Sequence, residues 1–239
     1  MIDLKIVLLD EKRAYECNTG INETVIVLLT GKCDVIINNG EYLWKSIGAR
    51  FCVFDNPSDS VYIPTNTAYK IIPQSDSLKF AAVSTYGEHK YEPFIVRHDD
   101  VKCEIRGLRE WKRSVYDIIT SKHKVNSLII GETIHTDGVW SGYPPHKHDT
   151  DNGTKESLNN EVYYVEMLPT NTFAIFLQYG DGWEKTTILR NGDSISVTEG
   201  YHAVVSAGGA KFYYLWALDS RDHRFYCNSD ENYQWVTKL

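Results

Sequence analysis

The sequence predicts an all-β protein made of two similar, tandem jelly-roll-type β-barrels. Three observations carry that expectation. Short runs rich in β-branched and aromatic residues recur along the 239 residues, separated by Gly, Asn, Asp and Pro. Aromatic residues are abundant, with 16 tyrosines and 6 tryptophans, as suits rings packed across neighbouring strands. The chain also carries a loose internal repeat: Asn22-Glu23 and Asn160-Glu161 each open a strand, and Ile63 to Ala68 later lines up with Val197 to His202, setting Ala68 opposite His202.

In chain order, "TVIVLLTGKCDVIINNGEYLWKSI", "SVYIPTNTAYKII" and "LKFAAVSTY" supply the strands of the first barrel, over roughly residues 1–100. "NSLIIGETIHT", "EVYYVEML", "TFAIFLQYGDGWEKTTIL", "DSISVTEGYHAVVSA" and "KFYYLWAL" supply those of the second, over 125–239. One repeat of this length reads as tandem domains, because solenoid periods run only ~20–50 residues. Residues 101–124 read as a basic connector. Within them "REWKRSVYDIITSK" fits a helix or a strand equally, since its Val, Tyr and paired Ile also suit a strand.

Composition excludes several classes. A formal net charge of −7 gives none of the basic field that nucleic acid or an anionic membrane attracts. The apolar stretch at the N-terminus is too short for a secretory signal, and runs such as Val25 to Leu29 fall far short of the ~20 residues of a membrane span. Five scattered cysteines, odd in number and without C-x-x-C spacing, indicate neither a disulfide framework nor a zinc knuckle. The expectation is a cytoplasmic protein. Its oligomeric state is left open, a homo-oligomer included.

The chemistry gathers at "SGYPPHKHDTD". Residues two apart on a strand point to one face, so His146 and His148 can aim two imidazoles at one point while Lys147 faces away. By itself an H-x-H pair is more often two exposed side chains, Glu161 a solvated strand residue and His202 a hydrogen-bonded core histidine. Together they fit a barrel in which H-x-H precedes a strand glutamate and a later turn, "TEGYH", delivers a last histidine. His146, His148, Glu161 and His202 would then hold one divalent metal ion per chain, with donors suited to Zn first, and to Mn or Fe.

That combination marks the cupin superfamily. "GETIHTDGVWSGYPPHKHDTD", "NNEVYYVEM", "ILRNGDSISVTEGYHAVVSAGG" and the closing "HRFYCNSDENYQW" resemble the 5-deoxy-glucuronate isomerase family of bacterial inositol catabolism. "VLLTGKCDVI", "FDNPSDSVYIPTNTAY" and "CEIRG" extend the resemblance to the N-terminal half. The related uronate ketol-isomerases of pectin breakdown have a shorter gap between the second histidine and the glutamate than the twelve residues from 149 to 160 here. The resemblance implies a bicupin with metal ligands in its C-terminal barrel only. It also implies an aldose–ketose isomerisation of 5-deoxy-glucuronate to 2-deoxy-5-keto-gluconate, in which a metal stabilises an enediolate.

Such a reaction needs a base, for which Tyr143, Asp149, Tyr164 and Tyr214 are the candidates, Tyr143 and Asp149 foremost. The acid substrate needs a cation. Most of the basic run Arg97, Lys102, Arg106, Arg109, Lys112, Arg113, Lys122 and Lys124 reads as a solvated connector. Arg106, beside a glycine in "CEIRG", is the expected carboxylate fork, with Arg190 and Lys147 behind it. The same ligand set would also serve an Fe(II)-dependent cupin oxygenase, and a non-catalytic sugar-acid-binding bicupin would keep the same fold.

Overall fold

The computed structural model describes residues 1–10, 13–48 and 50–238. Its regular structure is almost entirely β, in two compact units: Met1–Lys102 with Ile118–Leu128, and Cys103–Asp117 with Ile129–Leu239.

The first unit contains β1 (Asp3–Asp10), β2 (Tyr15–Asn18), β3 (Asn22–Thr30), β4 (Cys33–Ile37), β5 (Tyr42–Ile47), β6 (Ser60–Ile63), β7 (Ala68–Pro73), β8 (Ser77–Tyr86) and β9 (Phe94–Val96). One sheet runs β1-β8-β3-β6-β9, the other β2-β7-β4-β5. Alternation decides which side chains go inward: Cys33, Val35 and Ile37 of β4 are buried while Asp34 and Ile36 are not. These three meet Ile26 and Leu28 of β3, Phe80 of β8 and Ile71 of β7 in a core drawn from both sheets.

Two carboxylates are fully engaged inside this unit. Glu23 is wholly buried and accepts from the backbone N–H groups of Asn126, Ser127 and Leu128 and from the Tyr62 hydroxyl. Asp59 accepts from the N–H groups of Gly48 and His98, and its carboxylate pairs with the His98 ring at 2.7 Å and Arg97 at 3.2 Å. Burial pushes the Asp59 pKa up, but the Gly48 and His98 contacts outweigh it and hold the group below the usual carboxylate range.

The second unit contains β10 (Cys103–Arg106), most of β11 (Arg113–Ile119) and of β12 (Leu128–Thr136), and all of β13 (Trp140–Lys147), β14 (Asn160–Leu168), β15 (Ala174–Gly180), β16 (Trp183–Leu189), β17 (Ser194–Val197), β18 (Tyr201–Ser206), β19 (Lys211–Asp219) and β20 (Asn228–Ser229). Its sheets run β10-β11-β12-β19-β14-β17 and β16-β15-β18-β13-β20. The inward faces of β14 (Tyr163, Val165, Met167) and β19 (Phe212, Tyr214, Trp216, Leu218) pack with Phe176 and Val204 from the opposite sheet. Gly131 on β12 makes room for one of these rings, since a Cβ there would lie 2.2 Å from Trp216.

Strand order repeats between the units. β12-β19-β14-β17 follows the pattern of β1-β8-β3-β6, and β13-β18-β15-β16 that of β2-β7-β4-β5. Two expectations need correction. Among the described residues no ladder joins the two sheets of a unit, so each expected barrel is a pair of open sheets closed by side-chain packing. The expected connector is not a linker: it holds β10 and β11, and its residues are shared between the units. Its ambiguous segment is one 3-10 turn, Arg109–Trp111, and then strand β11, which the antiparallel ladder with β10 holds extended from Arg106↔Arg113 to Cys103↔Tyr116.

Candidate metal centre

Period two places Glu161 at the head of β14 on the same face as Tyr163, Val165 and Met167, so its carboxylate enters the core of the second unit. On the facing sheet His146 of β13 and His202 of β18 are direct ladder partners, which sends both rings to one side. His148 follows two residues after His146. One ring nitrogen from each of the three histidines lies within 4.8 Å of the others. Glu161 Oε2 lies 3.1 Å from His148 Nε2 and 3.4 Å from His202 Nε2.

The orientation of each ring is set by the main chain. Nδ1 of His146 lies 3.2 Å from the Gly142 carbonyl, that of His148 lies 3.0 Å from the Asn159 carbonyl, and that of His202 lies 3.3 Å from the Gly200 carbonyl. A carbonyl only accepts, so these contacts favour a proton on Nδ1 and leave the other ring nitrogen turned to the cluster. His202 is fully buried and its Nε2 has no hydrogen-bond partner. Three imidazoles and a carboxylate thus converge on one point, a nitrogen and oxygen donor set that a divalent cation satisfies. The residues fit the ion.

Burial and mutual contact act in opposite directions on these groups. Burial, reinforced by the neighbouring His202 and His148, depresses the His146 pKa to about 3. Burial also works against charge on His148 and Glu161, but their mutual contact prevails, raising the His148 pKa and lowering that of Glu161 to about 2.

A cavity of about 280 Å³ opens beside the cluster, lined by His146 and Glu161 together with Tyr143, Tyr214, Arg106, Arg113 and other residues of this unit. It sits at the small end of ligand pockets, roughly 300–1,000 Å³, and suits a small acid better than a polymer. Tyr214 shares a hydrogen bond with Ser141, and burial raises its pKa against the opposing charge of Arg113. Tyr143 stands among the rings of Trp111, Trp140 and Tyr233.

Several expected site residues lie elsewhere. Lys147, Asp149 and Arg190 do not line the cavity. Lys147 reaches Asp149 at 2.6 Å and Glu156 at 3.2 Å. Asp149 accepts the Gly200 N–H at 2.7 Å, so it braces the turn whose carbonyl orients His202. That turn needs its glycine: Gly200 has φ +80, and a Cβ would lie 2.6 Å from the Tyr179 carbonyl oxygen. Arg190 donates to the Thr172 carbonyl at the β16–β17 turn, and the Tyr164 hydroxyl donates to Glu166. Arg106 lines the cavity but is paired with Glu104 and Asp117. Sequence reasoning missed Arg113 as a cavity residue. Its signal was the alternation Arg113, Val115, Asp117, legible only once the segment is known to be a strand.

In the first unit Asn18 and Ala68 are the ladder pair of β2 and β7, as His146 and His202 are of β13 and β18, and the repeat alignment sets Ala68 opposite His202. Thr24 pairs with Ile63 as Glu161 pairs with Val197, one residue away from the expected match at Glu23. No metal-ligand cluster is found in this unit among the described residues.

Fold and site together define an all-β, jelly-roll-type protein with a three-histidine, one-carboxylate candidate metal centre. The chain belongs to the KduI/IolB family, whose family model matches residues 1–236. It is 33% identical to the 5-deoxy-glucuronate isomerase of Bacillus subtilis subsp. natto, over 98% of this chain and 87% of that one. It is 31% identical to the enzyme of the same name from Geobacillus kaustophilus, over 98% of this chain and 85% of that one. Among solved structures it superposes on an IolB-like protein from Salmonella typhimurium LT2 with TM-score 0.94 and 26% identity, covering 99% of this chain and 90% of that one. An oxalate decarboxylase from Lactobacillus farciminis, at TM-score 0.71 and 11% identity over 100% of this chain and 81% of that one, shares the fold. Among the described residues no helix is long and apolar enough to cross a membrane.

Proposed function

We propose that the chain is an aldose–ketose isomerase converting 5-deoxy-glucuronate to 2-deoxy-5-keto-gluconate in inositol catabolism. The observation that carries the reading is the convergence of three imidazoles and the Glu161 carboxylate beside a small cavity, in a chain of this family. His146, His148, Glu161 and His202 would hold one divalent ion, for which Zn is the assignment and Mn or Fe the alternatives. When bound, such an ion supplies Lewis-acid polarisation of neighbouring substrate oxygens and offsets the negative charge that develops on them.

The chain's own groups do the rest. The reaction moves a proton between adjacent carbons, and of the two residues foremost from sequence only Tyr143 lines the cavity, so the proton transfer is assigned to it. Tyr214, kept protonated by burial, suits donation of a hydrogen bond to a substrate oxygen. The repeated strand order supports reading the two units as tandem cupins, the first without ligands. A cytoplasmic location suits this role, with a uronate-type sugar acid as the small-molecule partner.

The test is turnover of 5-deoxy-glucuronate by metal-analysed protein in D2O, before and after chelation. One ion per chain, chelation-sensitive turnover without oxygen uptake, and deuterium at the former aldehyde carbon are expected. Undiminished turnover by metal-free protein, or oxygen consumed in step with product, would refute it.

A further inference from the structure

A sugar acid requires a cation for its carboxylate, and β10 and β11 bring two to one cavity. Arg106 and Arg113 are Cα partners in that antiparallel ladder, so their side chains leave the same face of the sheet. Both line the cavity that His146 and Glu161 also line. Like charges set directly opposite in a ladder repel, and here the repulsion is relieved on one side only. Arg106 Nη2 lies 2.9 Å from Glu104 Oε2 and 2.5 Å from Asp117 Oδ2, so its charge is already compensated.

Arg113 differs. Among the described residues no carboxylate pairs with it, and its side-chain hydrogen bond runs from Nη1 to the Trp111 carbonyl at 3.1 Å. That single anchor fixes one edge of the guanidinium and leaves the rest of the fork without a protein acceptor. The space beside it is kept by Gly107, where a Cβ would lie 2.2 Å from the Trp111 oxygen and 2.9 Å from Arg113 Nη1. A half-buried, anchored and uncompensated guanidinium facing a second arginine is costly in an empty cavity and favourable once an anion enters.

We propose that Arg113 is the carboxylate-recognising residue of this site, binding the acid group of a uronate-type substrate in a two-point fork, while Glu104 and Asp117 hold Arg106 neutralised beside it. This rests on the reading of the substrate as a sugar acid. It makes the site selective for acids over neutral sugars through β11, a strand that provides none of the metal ligands.

The experiment compares metal-loaded wild type with Arg113→Ala, Arg113→Lys and Arg106→Lys, the last keeping the charge that neutralises Glu104 and Asp117. Each is measured for kcat/KM on 5-deoxy-glucuronate and its methyl ester, and by calorimetry for D-glucuronate against D-glucuronamide. In Arg113→Ala, kcat/KM for the acid is expected to fall roughly 30-fold or more while that for the ester stays within about threefold, with metal content unchanged. Arg113→Lys, which keeps the charge but loses the fork, should recover part of the loss. Arg106→Lys should keep the wild-type ratio of acid to ester. Retention of acid discrimination by Arg113→Ala, or its loss in Arg106→Lys instead, overturns the assignment. A wild type that turns over no uronate would defeat the isomerase reading alone. The glucuronate and glucuronamide affinities would still decide for or against Arg113.

Discussion

Replacing Asp149 by alanine separates a base from a brace. Its carboxylate accepts from the Gly200 N–H at 2.7 Å, Lys147 at 2.6 Å and the Thr150 hydroxyl at 3.0 Å. Hydrogen bonds to a charged group contribute about 1.5–3 kcal/mol each, and Lys147 keeps Glu156 as a second partner. A net loss of roughly 2–4 kcal/mol follows, or ~4–15 °C in Tm for a chain of this size. Freed from Asp149, the Gly200 turn no longer fixes the carbonyl that orients the His202 ring. Loss of an outer partner of a metal-binding histidine weakens metal affinity about 10–100-fold. The assay is a chelator-competition titration of the apoprotein with Zn, followed by kcat at saturating metal. Weakened affinity with kcat restored by excess metal is expected for Asp149→Ala. Wild-type affinity with kcat reduced by ~10²-fold or more would make Asp149 a participant in proton transfer and refute the bracing argument.

Two further outcomes concern the first unit. Glu23→Gln replaces one carboxylate oxygen by a donor, which meets either the N–H groups of Ser127 and Leu128 or that of Asn126 beside the Tyr62 hydroxyl, and should cost about 3–5 kcal/mol in denaturant unfolding; a loss under ~1 kcal/mol would contradict the network described. Asp59, with its pKa depressed in the folded state, adds stability that is present above the unfolded value of about 3.9 and is lost as pH falls through the folded value. The stability gap between wild type and Asp59→Asn should therefore be wide near neutral pH and close in acid; a gap independent of pH would show that the charge is not the stabilising element.

The parts of the fold legible in the sequence were those governed by period and turn chemistry. The alternation in β4 and the continuous apolar runs of β3 and β19 announce their burial, and H-x-H on a strand announces two rings on one face. What stayed hidden depends on long-range pairing. That His146 and His202 oppose each other follows from the β13–β18 register, which no local pattern encodes. Asp149 reads as a free carboxylate beside a ligand until the Gly200 turn folds over it. Arg106 reads as an available fork until Glu104 and Asp117 are seen on it, and Arg113 reads as solvent-facing until its segment is known to be a strand. The repeat alignment met the same limit: it placed Ala68 against His202, but ladder register equates Thr24, not Glu23, with Glu161.

At Nδ1 the three candidate ligand rings are each steered by a main-chain carbonyl, those of Gly142, Asn159 and Gly200. No side-chain change on β10 or β11 removes such a carbonyl. Divergence within such a chain can therefore alter what enters the cavity, through side chains on β10 and β11, while the aim of the imidazoles is inherited unchanged with the backbone. Selectivity and ion capture are in that sense separately evolvable. A library restricted to positions 104–117 should sample new acids while the three carbonyl contacts of the histidines stay in place.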